Sequence, residues 1–160
     1  MDVPSEDVQF VADCAVETDM ELYIPDDYVS QTTEKIKLYK ELDAMKEDDG
    51  IDAFMASLED RFGPPPEEVK QLSFVVRIRH LAVKMGFEKI VLRQGVMLMY
   101  FISDASSAYY KTEQYQRIMS LVASRRIGKV NYKQEQNKLW IKVPGVDSIS
   151  KAYDILRSLK

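Results

Sequence analysis

The feature that most constrains this chain is a change of hydrophobic period at Gly86. Before that glycine the apolar residues recur at helical spacing; after it they fall into short runs of strand length. Ile51, Phe54, Met55, Leu58 and Phe62 lie at 0, 3, 4, 7 and 11 along one helix face. Gly63 is placed to end that helix, and Pro64-Pro65-Pro66 forces an extended link. Pro66 can open the next helix without losing a hydrogen bond, and Glu67 and Glu68 suit its positive N-terminal end. That helix runs to about Met85. Its apolar positions (Val69, Leu72, Val75, Val76, Ile78, Leu81, Val83) wrap more than one face, which predicts a central place. A helix over about 30–46, with Leu38, Leu42 and Met45 on one side, comes before both. Ser30 or Thr32 is available to cap it, and Asp48 or Asp49 to cap the helix that starts at Ile51.

Beyond Gly86, Lys89–Leu92 and Val96–Ile102 around Arg93-Gln94-Gly95 read as a hairpin. Its second strand is apolar on both faces, which predicts cover on both. A helix over about 107–124 follows, then a hairpin of Lys129–Gln134 with Lys138–Val143, then a helix capped by Asp147 or Ser148. The expected fold is α+β: three N-terminal helices, then hairpin, helix, hairpin and helix, with a small, mostly antiparallel sheet covered by helices. Residues 1–19 read as a tail or linker, weakly ordered unless docked. Met20–Ile24 alternates like a short strand, and residues 20–160 read as a single domain.

Charge divides the chain too, at about residue 60. Residues 1–60 carry a net −14 and residues 61–160 a net +10, which near-neutrality at −4 conceals. Such a split points to partner surfaces or to two halves that attract each other, rather than to a small-molecule enzyme. No apolar run approaches the ~20 residues of a membrane-spanning helix. The acidic start lacks the layout of a secretory signal. A single cysteine, Cys14, excludes an internal disulfide, and a single histidine, His80, excludes a two-imidazole site. Cys14 reads as an incidental thiol in a mobile tail and His80 as a surface or packing residue. No phosphate loop, dinucleotide fingerprint or nucleophile elbow is present. The expectation is a soluble, cytoplasmic, non-enzymatic chain with no cofactor and no metal.

Two groups of residues stand out for binding. In Lys138-Leu139-Trp140-Ile141-Lys142, strand alternation puts Lys138, Trp140 and Lys142 on one face. With Arg125, Arg126, Lys129 and Lys133 nearby in sequence, this is a candidate nucleic-acid patch. The preferred reading is the structural one, in which Trp140 packs beneath a helix while lysine stems cover it, because one aromatic is too few for a stacking platform. The second group is Glu59-Asp60 at the end of the amphipathic helix, off the apolar face and without an evident partner.

Several tracts resemble one known family. They are Tyr23-Ile24-Pro25-Asp26-Asp27-Tyr28, Lys37-Leu38-Tyr39-Lys40, Leu58-Glu59-Asp60-Arg61-Phe62-Gly63-Pro64-Pro65-Pro66-Glu67-Glu68-Val69, and Ile78–Gly86. Together, over about residues 20–92, they resemble the C-terminal (TRCF) domain of bacterial transcription-repair coupling factors. The resemblance makes residues 1–19 the linker from a preceding domain. It also implies a parent whose ATP-driven DNA-translocase motifs lie upstream. Such a parent displaces stalled RNA polymerase and recruits UvrA through a UvrB-like N-terminal module, in transcription-coupled nucleotide excision repair. The C-terminal domain is then an autoinhibitory clamp on the UvrB-like module, held by two acids of a helix. Asp60 matches the second acid, whereas Ser57 stands where the first is usual and Glu59 is its nearest acidic substitute. A monomer is expected, with a nucleic-acid-binding module as the rival reading.

Overall fold

The computed structural model describes residues 9–160. Its elements are β1 (Ala15–Thr18), α1 (Thr32–Ala44), α2 (Asp48–Phe62), α3 (Glu67–Met85), β2 (Phe87–Arg93), β3 (Val96–Phe101), α4 (Glu113–Arg125), β4 (Lys129–Lys133), β5 (Lys138–Pro144) and α5 (Ile149–Ser158). The strands form one sheet in the order β1-β2-β3-β5-β4. β1 runs parallel to β2, and every other pair is antiparallel. The α+β architecture of the sequence reading is the observed one.

Two cores hold the fold, and α3 belongs to both. Val69 and Val76 join Leu38, Leu42, Ile51, Phe54 and Leu58 in the core of the three-helix lobe. Ile78, Leu81, Ala82 and Met85 join the sheet core, against Ile90, Leu92, Met97, Met99, Ile141 and the apolar face of α5. A helix buried on two sides must be apolar on two sides, which explains the wrapped pattern of α3. Gly86 stops it in the left-handed conformation, φ 90° and ψ 22°.

The attraction between acidic and basic halves is realised across the helices. Arg77 pairs with Asp52 at 2.5 Å, and Arg79 with Asp43 at 2.8 Å. The ring nitrogens of His80 lie 2.8 Å from Asp48 Oδ1 and 2.8 Å from the Met45 carbonyl, so His80 packs the lobe together.

The structure corrects the sequence reading in several places. The strand expected at Met20–Ile24 is irregular, and the strand lies earlier, at Ala15–Thr18. Residues 9–19 of the expected tail therefore dock on the sheet, with Val11 and Cys14 buried. Residues 1–8 lie outside the described residues. Neither Asp48 nor Asp49 caps α2: Glu47 is its N-cap residue, and the Asp48 carboxylate is spent on His80. Gln31, rather than Ser30 or Thr32, precedes α1. The helix expected from 107 starts instead as a 3-10 turn over Ala108–Lys111, after which Thr112 caps α4 by accepting from the Tyr115 N–H.

The last difference concerns cover. The helices lie on one face of the sheet only. On the other face β3 presents Val96, Leu98 and Tyr100, which no element among the described residues covers. Their apolar character is met by neighbours within the sheet.

Candidate functional site

The residues that carry the family resemblance converge at the C-terminal end of α2. Ile24 is buried, and its N–H donates to the Tyr39 hydroxyl at 2.6 Å. The Pro25 carbonyl accepts from the N–H groups of Tyr28 and Val29, closing a tight turn. That turn sets the Tyr28 ring on Phe62, at 5.7 Å between centroids, and lets the Tyr28 hydroxyl donate to the Gly63 carbonyl at 2.8 Å. Partial burial, and then the Glu59 carboxylate, raise the pKa of Tyr28, so it keeps the proton it donates. Arg61 pairs with Glu34 of α1 and lies 4.8 Å over the Phe62 ring. The Arg61 hydrogen bond holds the Glu34 carboxyl below its ordinary pKa. These contacts fix the end of α2 from three directions.

What this frame presents outward is Ser57, Glu59 and Asp60, all exposed. At about 100° per residue, Asp60 lies roughly 160° round the helix from the buried Leu58, nearly opposite the core. Ala53, Ala56 and Ser57 are exposed on the same side, so Asp60 stands on a face of small residues. Ser57 and Asp60 are one helical turn apart and share that face, whereas Glu59 points about 100° away, toward the side of Tyr28. Neither Glu59 nor Asp60 forms an ion pair among the described residues. By contrast Glu17, Glu34, Asp43 and Asp52 are each paired to a cation of this chain.

The candidate basic patch is divided by the fold. Lys138, Trp140 and Lys142 do share the open face of the sheet, as alternation requires. Trp140 does not lie beneath a helix; it rests against Tyr100 of β3, with centroids 5.6 Å apart. Arg125 sits at the end of α4 on the helical side and reaches the Ser158 carbonyl at 3.4 Å. Arg126 follows it in the left-handed conformation and lines an apolar cleft between α4 and the sheet, with Met119, Val122 and Val130. Tyr100 is the member that sequence reasoning missed. The alternation of Val96, Leu98 and Tyr100 was its signal, but the register that sets Tyr100 beside Trp140 is not written in either strand alone. No group of three or more His, Cys, Asp or Glu among the described residues could hold a metal ion. No helix among them is long and apolar enough to cross a membrane.

The TRCF-domain family model matches residues 18–112, more than half the chain and the stretch holding the whole α2 frame. The chain belongs to the TRCF-domain family. Among its relatives, the transcription-repair-coupling factor of Rickettsia bellii is 29% identical over 89 residues, 56% of this chain and 8% of that protein. That of Escherichia coli is 29% identical over 75 residues, 47% of this chain and 6% of that protein. The Staphylococcus epidermidis protein is 24% identical over 134 residues, 81% of this chain and 11% of that protein. The chain thus spans about a tenth or less of the length of these relatives. The crystal structure of the C-terminal domain of a transcription-repair coupling factor superposes with a TM-score of 0.70 at 15% identity, covering 92% of both chains. The TRCF fold therefore extends through the second half, where residue-by-residue likeness fades. It is the C-terminal domain of a transcription-repair coupling factor that this chain matches in family and fold.

Proposed function

We propose that this TRCF domain is a non-catalytic regulatory clamp that binds in cis to a basic surface on the UvrB-like N-terminal module of its parent. While bound, it masks the surface that recruits UvrA. The parent is an ATP-dependent DNA translocase that displaces stalled RNA polymerase in transcription-coupled nucleotide excision repair in the cytoplasm. The observation that carries the reading is the placement of Asp60: exposed, nearly opposite the core, unpaired among the described residues, and rigidly framed by the motif residues of the family. An acid held on a face of small side chains lets a cationic partner approach closely, and it favours that partner over a like-charged one.

Ser57 supplies no charge at the position one turn before Asp60, so the contact here rests on one carboxylate of that face. Glu59, round the helix, serves a neighbouring part of the partner. The test is calorimetric titration of this chain with the separately purified UvrB-like module. The expected result is saturable binding that weakens with salt and falls about tenfold with Asp60→Lys, while Ser57→Glu tightens it. Binding unchanged by Asp60→Lys would remove Asp60 from the contact. Absence of binding at high concentration would remove the clamp as an independent interaction.

A further inference from the structure

The open face of the sheet has an order that neither the fold nor the clamp requires. Along β5 and β4, Lys142 is directly opposite Lys129, and Lys138 directly opposite Lys133. Between these two pairs runs a row of Tyr100, Trp140 and Asn131, aligned across β3, β5 and β4. The lysine rows are four residue steps apart along the strands, roughly 13 Å at about 3.3 Å per step. All four lysines are exposed, and none has an ion-pair partner among the described residues. The cations at the other side of this face, Lys89 and Arg93, instead share one carboxylate, Glu17, at 3.4 Å each.

Like charges directly opposite each other across strands destabilise a sheet. Lysine on an edge strand has a use of its own, because it deters pairing with other chains, and this accounts for Lys129 and Lys133 of β4. It does not account for Lys138 and Lys142, since β5 lies inside the sheet. Nor do folding demands place a tryptophan and a tyrosine, both only half-buried against each other, on a face that no helix covers. Lys138 and Lys89 each hold an ammonium just under 6 Å from the Tyr100 ring centroid, one more sign that cations and π faces are gathered here.

We infer that this face binds single-stranded nucleic acid, with backbone phosphates on the Lys129–Lys142 and Lys133–Lys138 pairs and a base stacked on the Trp140–Tyr100 row. The charge complement selects a polyanion, and the aromatic row between two cationic rows selects one whose charges alternate with flat, unpaired bases. An acidic peptide matches the charge without the flat π surface, and a duplex keeps its base faces stacked inside. The inference is independent of the clamp, which uses α2, so either can fail alone.

The experiment is a titration of this chain with a labelled oligothymidylate of about 12 nucleotides at low salt, read by anisotropy and by emission of Trp140, the one tryptophan present. Binding should quench that emission. Affinity should fall with salt with a log–log slope of about −2 to −3, as expected for up to four phosphate contacts at ~0.7 each. Trp140→Leu should weaken binding about tenfold, the loss of one stacked base. The pair Lys138→Glu and Lys142→Glu should abolish it without lowering the melting temperature, since each then faces a lysine of opposite charge. Arg125→Glu, on the helical side, should change nothing. Should Trp140→Leu fail to fold, the lysine variant and the emission change decide. No binding at low salt, equal affinity for a duplex of the same length, or equal affinity for polyglutamate would each overturn the inference.

Discussion

Substituting alanine for Gly86 tests the joint between α3 and the sheet. At φ 90° a side chain costs about 1–2 kcal/mol in backbone strain alone. A Cβ there would also stand 2.1 Å from Tyr109 Cε1 and 2.4 Å from Cζ, well inside contact distance. Tyr109 cannot yield: it is fully buried, its ring meets those of Phe10, Phe101, Tyr110 and Tyr115, and its hydroxyl donates to the Met85 carbonyl at 2.6 Å. Displacing it adds about 1–3 kcal/mol of overpacking, and losing the buried hydrogen bond adds about 1–3 kcal/mol. Together these amount to about 3–8 kcal/mol, or a melting temperature lowered by roughly 6–30 °C in a domain of this size. Gly63 is the control, because it has φ 87° but nothing within 4 Å of an added Cβ. Gly63→Ala should cost only backbone strain: at φ 87° and ψ −175°, a region nearly confined to glycine, that is about 1–3 kcal/mol and roughly 2–12 °C. Thermal melts followed by circular dichroism compare the two. Equal losses in both variants would refute the assignment of the excess to Tyr109. So would a Gly86→Ala, Tyr109→Leu double variant whose losses simply add, because residues in contact must couple.

Two further outcomes follow from named environments. Cys14 is 1% exposed, and burial, helped by the neighbouring Asp13, pushes its thiol up to about 12. The native chain should therefore resist Ellman's reagent at pH 8 and react fully once denatured; labelling of the native chain at the rate of a free thiol would show that residues 9–19 do not stay docked. The second concerns acid stability: Glu34 is held below its ordinary value of 4.5 chiefly by its hydrogen bond from Arg61. A depressed carboxyl stabilises the fold above its unfolded pKa and loses that contribution as pH falls from about 4.5 through the folded value. Denaturant melts at pH 7 and pH 3 should differ less for Glu34→Gln than for the parent, and an equal difference would exclude the pair as a contributor.

Much of this was legible in the sequence because periodicity and terminators agreed. The stripe of Ile51, Phe54, Leu58 and Phe62, with Gly63 behind it, fixes both the C-terminal end of α2 and the outward direction of Asp60. The double-faced pattern of α3 gave its central place for the same reason. What stayed hidden was long-range. Ala15–Thr18 is a strand only because β2, some 70 residues on, accepts it in parallel. Four residues carry too little alternation to announce that. Asp48 satisfies every local rule for a cap, yet His80, 32 positions away, claims its carboxylate. The open sheet face escaped for a related reason: apolar residues on two faces of β3 read as two covered faces, whereas Leu98 and Tyr100 find their cover in cross-strand neighbours. The patch of Lys138, Trp140 and Lys142 was visible from alternation, but its separation from Arg125 depends on which side of the sheet α4 occupies.

The parallel pairing of β1 with β2 has a consequence for how the molecule can be cut and how it carries load. Because these neighbouring strands sit on either side of α1, α2 and α3 in the chain, the helical lobe is an excursion that leaves the sheet at one strand and returns at the next. Losing residues 9–19 would therefore not trim a loose end. It would strip β2 of one of its two partners, turn an interior strand into an unprotected edge, and remove Val11 and Cys14 from the sheet core. A pull applied at α2 would reach the sheet through α3 on one side and through β1 on the other, so the lobe is anchored like a handle at both ends.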